Sequence, residues 1–576
     1  MEATKVHDYV MERILELLNK ATLDSYRVRI NNVYTSIIEA RDIIKRSGEM
    51  KVKTFETVRL LVSETIDLLK ADQLLQFRTY SKDLLIVELE DFIRQSADKF
   101  PNKLPYVDRI LFCLNKCIEE NKNQYLSALF AVLDSSLSEC EHVTDEGMME
   151  YVGRIDSTVS ALCVQLIADG YNKRFLYTEL KHYSGLSFEA FLKALKEFGK
   201  KKNHQFEIIW RVNIPDSKPE DVAALGFIPE PDIEHINELA RERYKKMIAP
   251  AKNYFFFQDS VFALDMYSAA MISREKLMQR FDGIHLGCYS KRIPMPSSVL
   301  TLEKRAAKWF ALPCVVDYFL DGAFAEDYAL SSKLNAMLEK IYLSKSIDKA
   351  AQDRIKSAIR HLNYGDLDSE IEQRFINYWI ALEFVFASPH TNENTFTRLK
   401  SYLVDILAVS YVGRNVGYLN NKLVEAGIIS SDDDIWQSVD VLDSVAERPD
   451  LPLIWKYKLK KMKARLFTHT DKMRKYYSNH ITNLERHIAR IYNLRNVLVH
   501  EGAIKQDVED LASNLRYYLV FLIDQMLSYF TAKAEKKGLV VQIDDFFNEY
   551  RSYRKFVDAN FALNTLLSIP VNKNLW

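Results

Sequence analysis

Up to about residue 200, apolar residues recur at spacings of three and four, as in Val10, Ile14, Leu17 and Leu18, in Val58, Leu61, Ile66 and Leu69, and in Ile110, Leu114 and Ile118. This is the period of helices that bury one stripe, and it predicts an antiparallel helical array. The pattern changes near residue 205. Phe206 to Val212 reads as a strand, and a turn-rich stretch with Pro215, Pro219, Pro229 and Pro231 follows. Helices are expected over about 232–248 and 264–281. Tyr254 to Phe257 lies between them and reads as a buried strand, with an aromatic pocket as the other reading. Pro294 and Pro296 close this region. Helical periodicity then resumes from about residue 300, with one late strand expected at Leu539 to Ile543. The expected fold class is mainly α, with a helical N-terminal domain (1–204), a small α/β middle domain (205–300) and a C-terminal helical domain (301–576). No fixed-period repeat and no low-complexity tract interrupts it.

Composition narrows the chemistry. The 576 residues include only 16 Gly and 14 Pro, while 48% are hydrophobic, so most of the chain is free to be helical. Phosphate-cradling loops depend on glycine turns, and neither GxGxxG nor GxxxxGK[ST] occurs, which argues against a P-loop ATPase or a dinucleotide-dependent dehydrogenase. Lys and Arg number 78 against 79 acids, so any basic surface is local. The six cysteines (Cys113, Cys117, Cys140, Cys163, Cys288 and Cys314) form no CxxC pair and suggest neither a disulfide framework nor a zinc site. Cys113 and Cys117, one turn apart, read as core packing. The opening MEATKVHDYVMERILELL lacks a basic leader and a cleavage site. Phe375–Phe386 is too short to span a bilayer, and Asp524 interrupts Tyr517–Phe530. A cytoplasmic protein without membrane contact is expected.

One segment stands apart. In ERHIARIYNLRNVLVHEG (485–502), Ile488, Ile491, Leu498 and Val499 fall on one helical stripe with the preceding Leu484, and Arg495 lies in the middle of it. Asn493, Asn496 and His500 line a neighbouring face. Gly502 reads as the residue that ends the helix, which places His500 in the last turn, where the helix dipole favours a cation. A buried arginine needs an anion, and RFINYWIALEFVFASPHTNE supplies one: Glu383 is the only charged residue between Arg374 and Glu393. This helix is expected to run through a core, apolar nearly all round. Its carboxylate should meet Arg495 across two packed helices.

Arg, Asn and His together suit metal-independent RNA cleavage. The imidazole moves a proton on or off the 2′-hydroxyl or the leaving oxygen, and the guanidinium binds the charged phosphate of the transition state. No cofactor or metal is called for, and no HExxH or paired Cys/His set offers one. The same residues are also consistent with a helix-end histidine and a core ion pair in a scaffold.

R-N-x3-H followed by E-G, about 110 residues after RFINYWIALEFVF and with the approach segment RIKSAIRHLNYGDLDSEIEQRF, resembles the HEPN superfamily, in particular its ApeA-like branch from bacterial anti-phage defence. The resemblance covers about residues 350–530, roughly a third of the chain. It implies a helical bundle that dimerises, or forms a higher oligomer, through the HEPN region so that two R-x4–6-H motifs share one RNase cleft. Arg495 and His500 would be the catalytic pair, Asn496 the polar residue beside the arginine, and Glu383 and Asn493 supporting groups. It further implies an RNA substrate, with tRNA among the candidates, and an abortive-infection outcome after a phage or host trigger that the other domains would sense. Gly502 stands where the tyrosine of the R-x4-H-x-Y variant would be, so regulation by nucleotidylation of that tyrosine is not carried over. A non-catalytic HEPN-like module binding RNA, a nucleotide or a protein remains the alternative, as does a plain helical scaffold. The looser R-x4–6-H spacing also occurs at Arg280/His285, Arg354/His361 and Arg474/His480.

A basic stretch precedes the motif. Lys456, Lys458, Lys460, Lys461, Lys463, Arg465, Lys472, Arg474, Lys475, Arg486 and Arg490 face only Asp471 and Glu485, a local charge of +9. Interleaved Tyr457, Phe467, Tyr476 and Tyr477 suit phosphate contact with base stacking, as they also suit a solvated helix face with a few core aromatics. Ser431 to Asp434 is expected to begin a helix, and Asp544 and Asp545 to lie on the surface.

Overall fold

The computed structural model describes residues 2–570 except 28, 53, 101–103, 105, 140–146, 216, 289–291, 306–307, 321–327, 388–394, 432, 434, 502–507, 536–537 and 539. Expectations for Gly502, Cys140, Asp432, Asp434 and Leu539 therefore lie outside the described residues. The protein is mainly helical, with one small antiparallel sheet in its middle.

Among the described residues, seven α-helices open the chain: α1 (Glu2–Leu18), α2 (Val33–Gly48), α3 (Phe55–Ala71), α4 (Lys82–Ser96), α5 (Val107–Asn121), α6 (Tyr125–Glu139) and α7 (Met148–Ala168). Their starts are written locally. Asn32 and Thr35 form a reciprocal capping box on α2, and Ser81 caps α4, so backbone donors that a helix start leaves unpaired are satisfied by side chains. The stripes read from the sequence are the buried ones: Val10, Ile14, Val58, Leu61, Ile110 and Leu114 are all buried.

The chain then forms α8 (Lys173–Ser184), α9 (Phe188–Phe198), β1 (His204–Asn213), α10 (Pro219–Ala224), α11 (Glu238–Arg243), α12 (Lys245–Ile248), β2 (Tyr254–Ala263), α13 (Met266–Gly287), β3 (Ser298–Arg305) and β4 (Lys308–Val315). The sheet order is β2-β1-β3-β4, antiparallel throughout, with Trp210 opposite Phe257 and Leu300 opposite Pro313. Ile208, Trp210, Phe257 and Val299 pack with Leu277 and Phe281 of α13. Ile209, Phe256 and Leu302 share the other face with Ile236 and Ile248. Asp265 caps α13 through the amides of Tyr267 and Ser268, and burial pushes its carboxyl up to about 6. The expected helix over 232–248 is instead two short helices. Helical periodicity does not resume at 300 either, because the β3–β4 pair occupies that stretch. Pro313 is tolerated there because β4 is an edge strand, where a missing N–H breaks no ladder.

The remaining helices are α14 (Tyr328–Leu343), α15 (Lys349–Leu367), α16 (Ile371–Phe386), α17 (Thr395–Val409), α18 (Tyr411–Glu425), α19 (Val439–Ala446), α20 (Leu453–Leu466), α21 (Thr470–Glu501), α22 (Val508–Lys533), α23 (Ile543–Ala559) and α24 (Leu563–Ser568). Among the described residues of the expected late strand, Val541 makes a single bridge to Ile347, and Ile543 already starts α23. Among the described residues no helix starts at Ser431, and Ser438 caps α19. Asp544 and Asp545 lie at the surface as expected, where Asp544 holds Arg398 and Asp545 completes a capping box with Gln542.

The chain divides into two compact units, Met1–Ala161 with Leu320–Trp576, and Leu162–Phe319. This differs from three consecutive domains. Long-range charge pairing accounts for the join in the first unit. Arg490 of α21 bonds Glu39 of α2 (2.6 and 2.7 Å) and Glu64 of α3 (2.7 Å), and Arg486 bonds Asp67. Arg13 of α1 bonds Asp156 of α7 (2.7 Å), which also accepts from Lys461 of α20 (3.0 Å). Against the upward push of burial, these two cations hold Asp156 below the usual carboxylate range. Among the described residues no helix is long and apolar enough to cross a membrane.

Candidate functional site

The contact between α16 and α21 positions the candidate site. Tyr492 lies against Trp379 of α16 (5.8 Å between ring centres) and stacks on Phe396 of α17 (3.8 Å). These aromatic contacts set the facing of the two helices. Three residues further along α21, Arg495 Nη2 donates to Glu383 Oε1 at 3.4 Å. The expected pair is therefore formed. Its setting differs from the expectation, because the side chains of Arg495 and Glu383 are 23% and 35% exposed, and Phe384 beside them is 43% exposed. The 371–386 helix is buried on one side and open on the other.

Glu383 is pre-oriented. Trp379 Nε1 donates to the same Oε1 at 2.6 Å, one helical turn away. The carboxylate is thus held on α16 and accepts the guanidinium as a second donor. Asn496 is buried, and its Oδ1 accepts from Arg495 Nη1 at 3.4 Å, so it braces the arginine from its own helix. His500 is exposed in the last turn of α21. Asn493 belongs to a different contact: its Oδ1 accepts from Arg46 Nη1 at 2.8 Å, while Arg46 Nη2 bonds Glu501 at 2.6 Å. The contact that Asn493 makes is thus to α2.

The other Arg/His spacings lead elsewhere. His480 is stacked on Tyr411, and burial drives its imidazole well below the usual histidine range. His361 stacks on Phe384 and meets Asn377 at 3.3 Å. His285 Nε2 accepts from the Ile293 amide at 2.9 Å. Among the described residues, no group of three or more His, Cys, Asp and Glu side chains gathers as a metal site.

The lysines of the basic stretch between Lys456 and Lys463 are paired within the chain, while Lys472, Arg474 and Lys475 are exposed at the start of α21. Lys458 is 6% exposed and bonds Glu16, with Tyr26 and Trp455 around its ammonium (4.5 and 4.4 Å to the ring centres); burial pushes it down to about 8. Lys456 and Lys460 share Glu447 (3.6 and 2.6 Å), Lys463 holds Asp443 (2.6 Å), and Lys461 holds Asp156. Arg465 covers the Tyr476 ring and Arg474 the Phe561 ring, both at 4.6 Å. Lys475 is exposed, but 25 residues of helix separate it from His500, about 37 Å of rise. The local +9 was a property of sequence distance. In the fold, acids from α1, α7 and α19 meet it, and buried Lys458 is withdrawn from solvent.

Two contributors went unread in the sequence. Trp379 carried a local signal, since W-x3-E places indole and carboxylate on one face at i and i+4. Arg46 carried none, lying 447 residues from Asn493. Comparisons of the chain with protein-family models, curated proteins and solved structures found no match.

Proposed function

We propose that the protein is a metal-independent endoribonuclease of the HEPN type, cleaving RNA by attack of a 2′-hydroxyl on the adjacent phosphate. The observation that carries this reading is an arginine set against a fixed carboxylate on α16, with an exposed histidine at the end of the same helix. In this reading the exposed His500 imidazole takes the proton of a substrate 2′-hydroxyl as the 2′-oxygen bonds to phosphorus. Arg495, oriented by Glu383 and Asn496, offers its guanidinium to the phosphate oxygens as charge builds on them. A second imidazole returns a proton to the departing 5′-oxygen. In this reading it comes from a second copy, since one chain carries one such motif. An abortive-infection role set off by a phage or host trigger is part of the same proposal.

The test is incubation of the purified full chain with total RNA in EDTA. Products ending in 2′,3′-cyclic phosphate, absent for His500→Ala, support the enzyme. RNA that stays intact while the protein binds it would favour a non-catalytic module, a reading to which the engagement of Asn493 and Asn496 within the chain lends some support.

A further inference from the structure

A helix loses order first at its ends, because its last four carbonyls have no partner within the helix. The candidate catalytic residues sit in such an end. Arg495, Asn496 and His500 occupy the last two turns of α21, and His500 is the penultimate residue. For Arg495 and His500 to act on one phosphodiester, this stretch must keep its helical form, since about 1 Å of misplacement is enough to lower a rate a hundredfold.

The upstream turns of α21 are secured by Arg486 and Arg490, whose acceptors lie on α3 and α2. Those bonds stop before the motif. Among the described residues, the motif is spanned by Arg46 in the last turn of α2, which is 11% exposed. Its Nη1 bonds the Asn493 side chain and its Nη2 the Glu501 carboxylate, at 2.8 and 2.6 Å. The two acceptors are eight residues apart, about 12 Å of helix rise, and Arg495, Asn496 and His500 all lie between them. Glu501 directly follows His500. If the last turn unwound, Glu501 would leave the guanidinium, so the bond opposes that unwinding. A planar fork with separate donors can hold two acceptors in fixed directions at once, which an ammonium on a flexible stem does less well.

We propose that Arg46 is a positioning residue of this site, a tether by which the second helix of the chain holds His500 in register with Arg495. The catalytic part of this proposal rests on the nuclease reading; the tether itself does not.

The experiment uses the full chain with Arg46→Ala, Arg46→Lys, Asn493→Ala and Glu501→Ala, reading amide hydrogen exchange over 493–501 alongside kcat and KM for RNA cleavage. Arg46→Ala is expected to speed exchange at Leu498 to Glu501 by about tenfold or more. It should lower kcat about ten- to hundredfold with KM within about twofold. Arg46→Lys should recover part of both, and Arg46→Ala combined with Glu501→Ala should be no worse than Arg46→Ala alone, because the two changes remove the same bond. Unchanged exchange in Arg46→Ala overturns the tether, and faster exchange with an unchanged kcat overturns its catalytic role. If Arg46→Ala fails to fold, Asn493→Ala and Glu501→Ala each remove one arm and are read by the same criteria. A wild-type chain that leaves RNA intact defeats the nuclease reading, while the exchange data still decide whether Arg46 orders the helix end.

Discussion

Replacing Arg495 with Ala separates a catalytic arginine from one that locks a core. The two charges meet at 3.4 Å, which corresponds to between about 1 and 5 kcal/mol of Coulomb attraction for effective dielectric constants of about 80 and 20. Both side chains are partly exposed, so desolvation is incomplete, solvent screens the pair, and ordering two long side chains offsets part of the gain. A net contribution of about 1 kcal/mol is expected. Glu383 also keeps its Trp379 donor when the arginine is gone, so no buried charge is stranded. Arg495→Ala should therefore fold, with an urea midpoint close to the wild type. If the guanidinium stabilises the transition-state phosphate, kcat should fall about 10²- to 10³-fold. The assays are urea denaturation followed by far-UV circular dichroism, and cleavage of RNA in EDTA with both proteins at the same concentration. A loss of more than about 3 kcal/mol in stability would refute the argument and restore the core-lock reading. A folded variant that cleaves at the wild-type rate would refute the catalytic assignment.

Other substitutions probe packing at Gly365, titration at His487 and the ion pairs of Lys460, Lys461 and Lys463. A Cβ at Gly365 would lie 2.3 Å from the ring of Tyr378, which is fully buried and bonds Asp366 at 2.7 Å; Gly365→Ala should therefore lower stability by about 1 to 3 kcal/mol in chemical denaturation. His487 bonds Tyr518 at 2.7 Å, and burial, with the nearby Arg490 and Arg27, pushes its imidazole down to about 3. Its folded value is below its unfolded one, so the stability it supports is present above about pH 6.5 and is lost as the pH falls from there towards 3. Urea midpoints measured between pH 7 and pH 4 should fall less steeply in His487→Gln, and equal slopes would count against a buried neutral imidazole. Neutralising Lys460, Lys461 and Lys463 would flatten the salt dependence of RNA binding by about 2 in slope if all three touched phosphate. Because each already holds an acid of the chain, the slope should change by less than about 0.5, and a full flattening would show that RNA displaces Glu447, Asp156 and Asp443.

How much was legible in the sequence depended on the range of the interaction. Helical stripes were readable because a period of three and four is a local property. The Glu383–Arg495 pair was readable for a different reason. A lone charge in an apolar helix and an arginine on an apolar stripe each need a partner, and few candidates existed. The β3–β4 pair was missed because its second strand carries Phe310 and Leu312 exposed and Pro313 at an edge, which blurs strict alternation. The basic stretch misled for the converse reason. Net charge over a window counts only neighbours in sequence, while Lys458 and Lys461 find their acids at Glu16 and Asp156.

The same long-range pairing changes what the first 161 residues can be. The resemblance implies only that the other domains, the N-terminal helices among them, sense a trigger. Yet α2 and α3 supply Glu39, Glu64, Asp67 and Arg46 to the helix that bears Arg495 and His500. Arg490 is a buried cation held by two carboxylates, and removing one member of such a set is expected to weaken the fold by about 3 to 5 kcal/mol. A trigger that moved α2 would therefore act on α21 directly, through Arg46 and Glu39, with no separate relay needed. Coupling of this kind requires an element with two arrangements that both ligands bias. Here that element would be the last two turns of α21, ordered while Arg46 holds Asn493 and Glu501 and frayed when it does not.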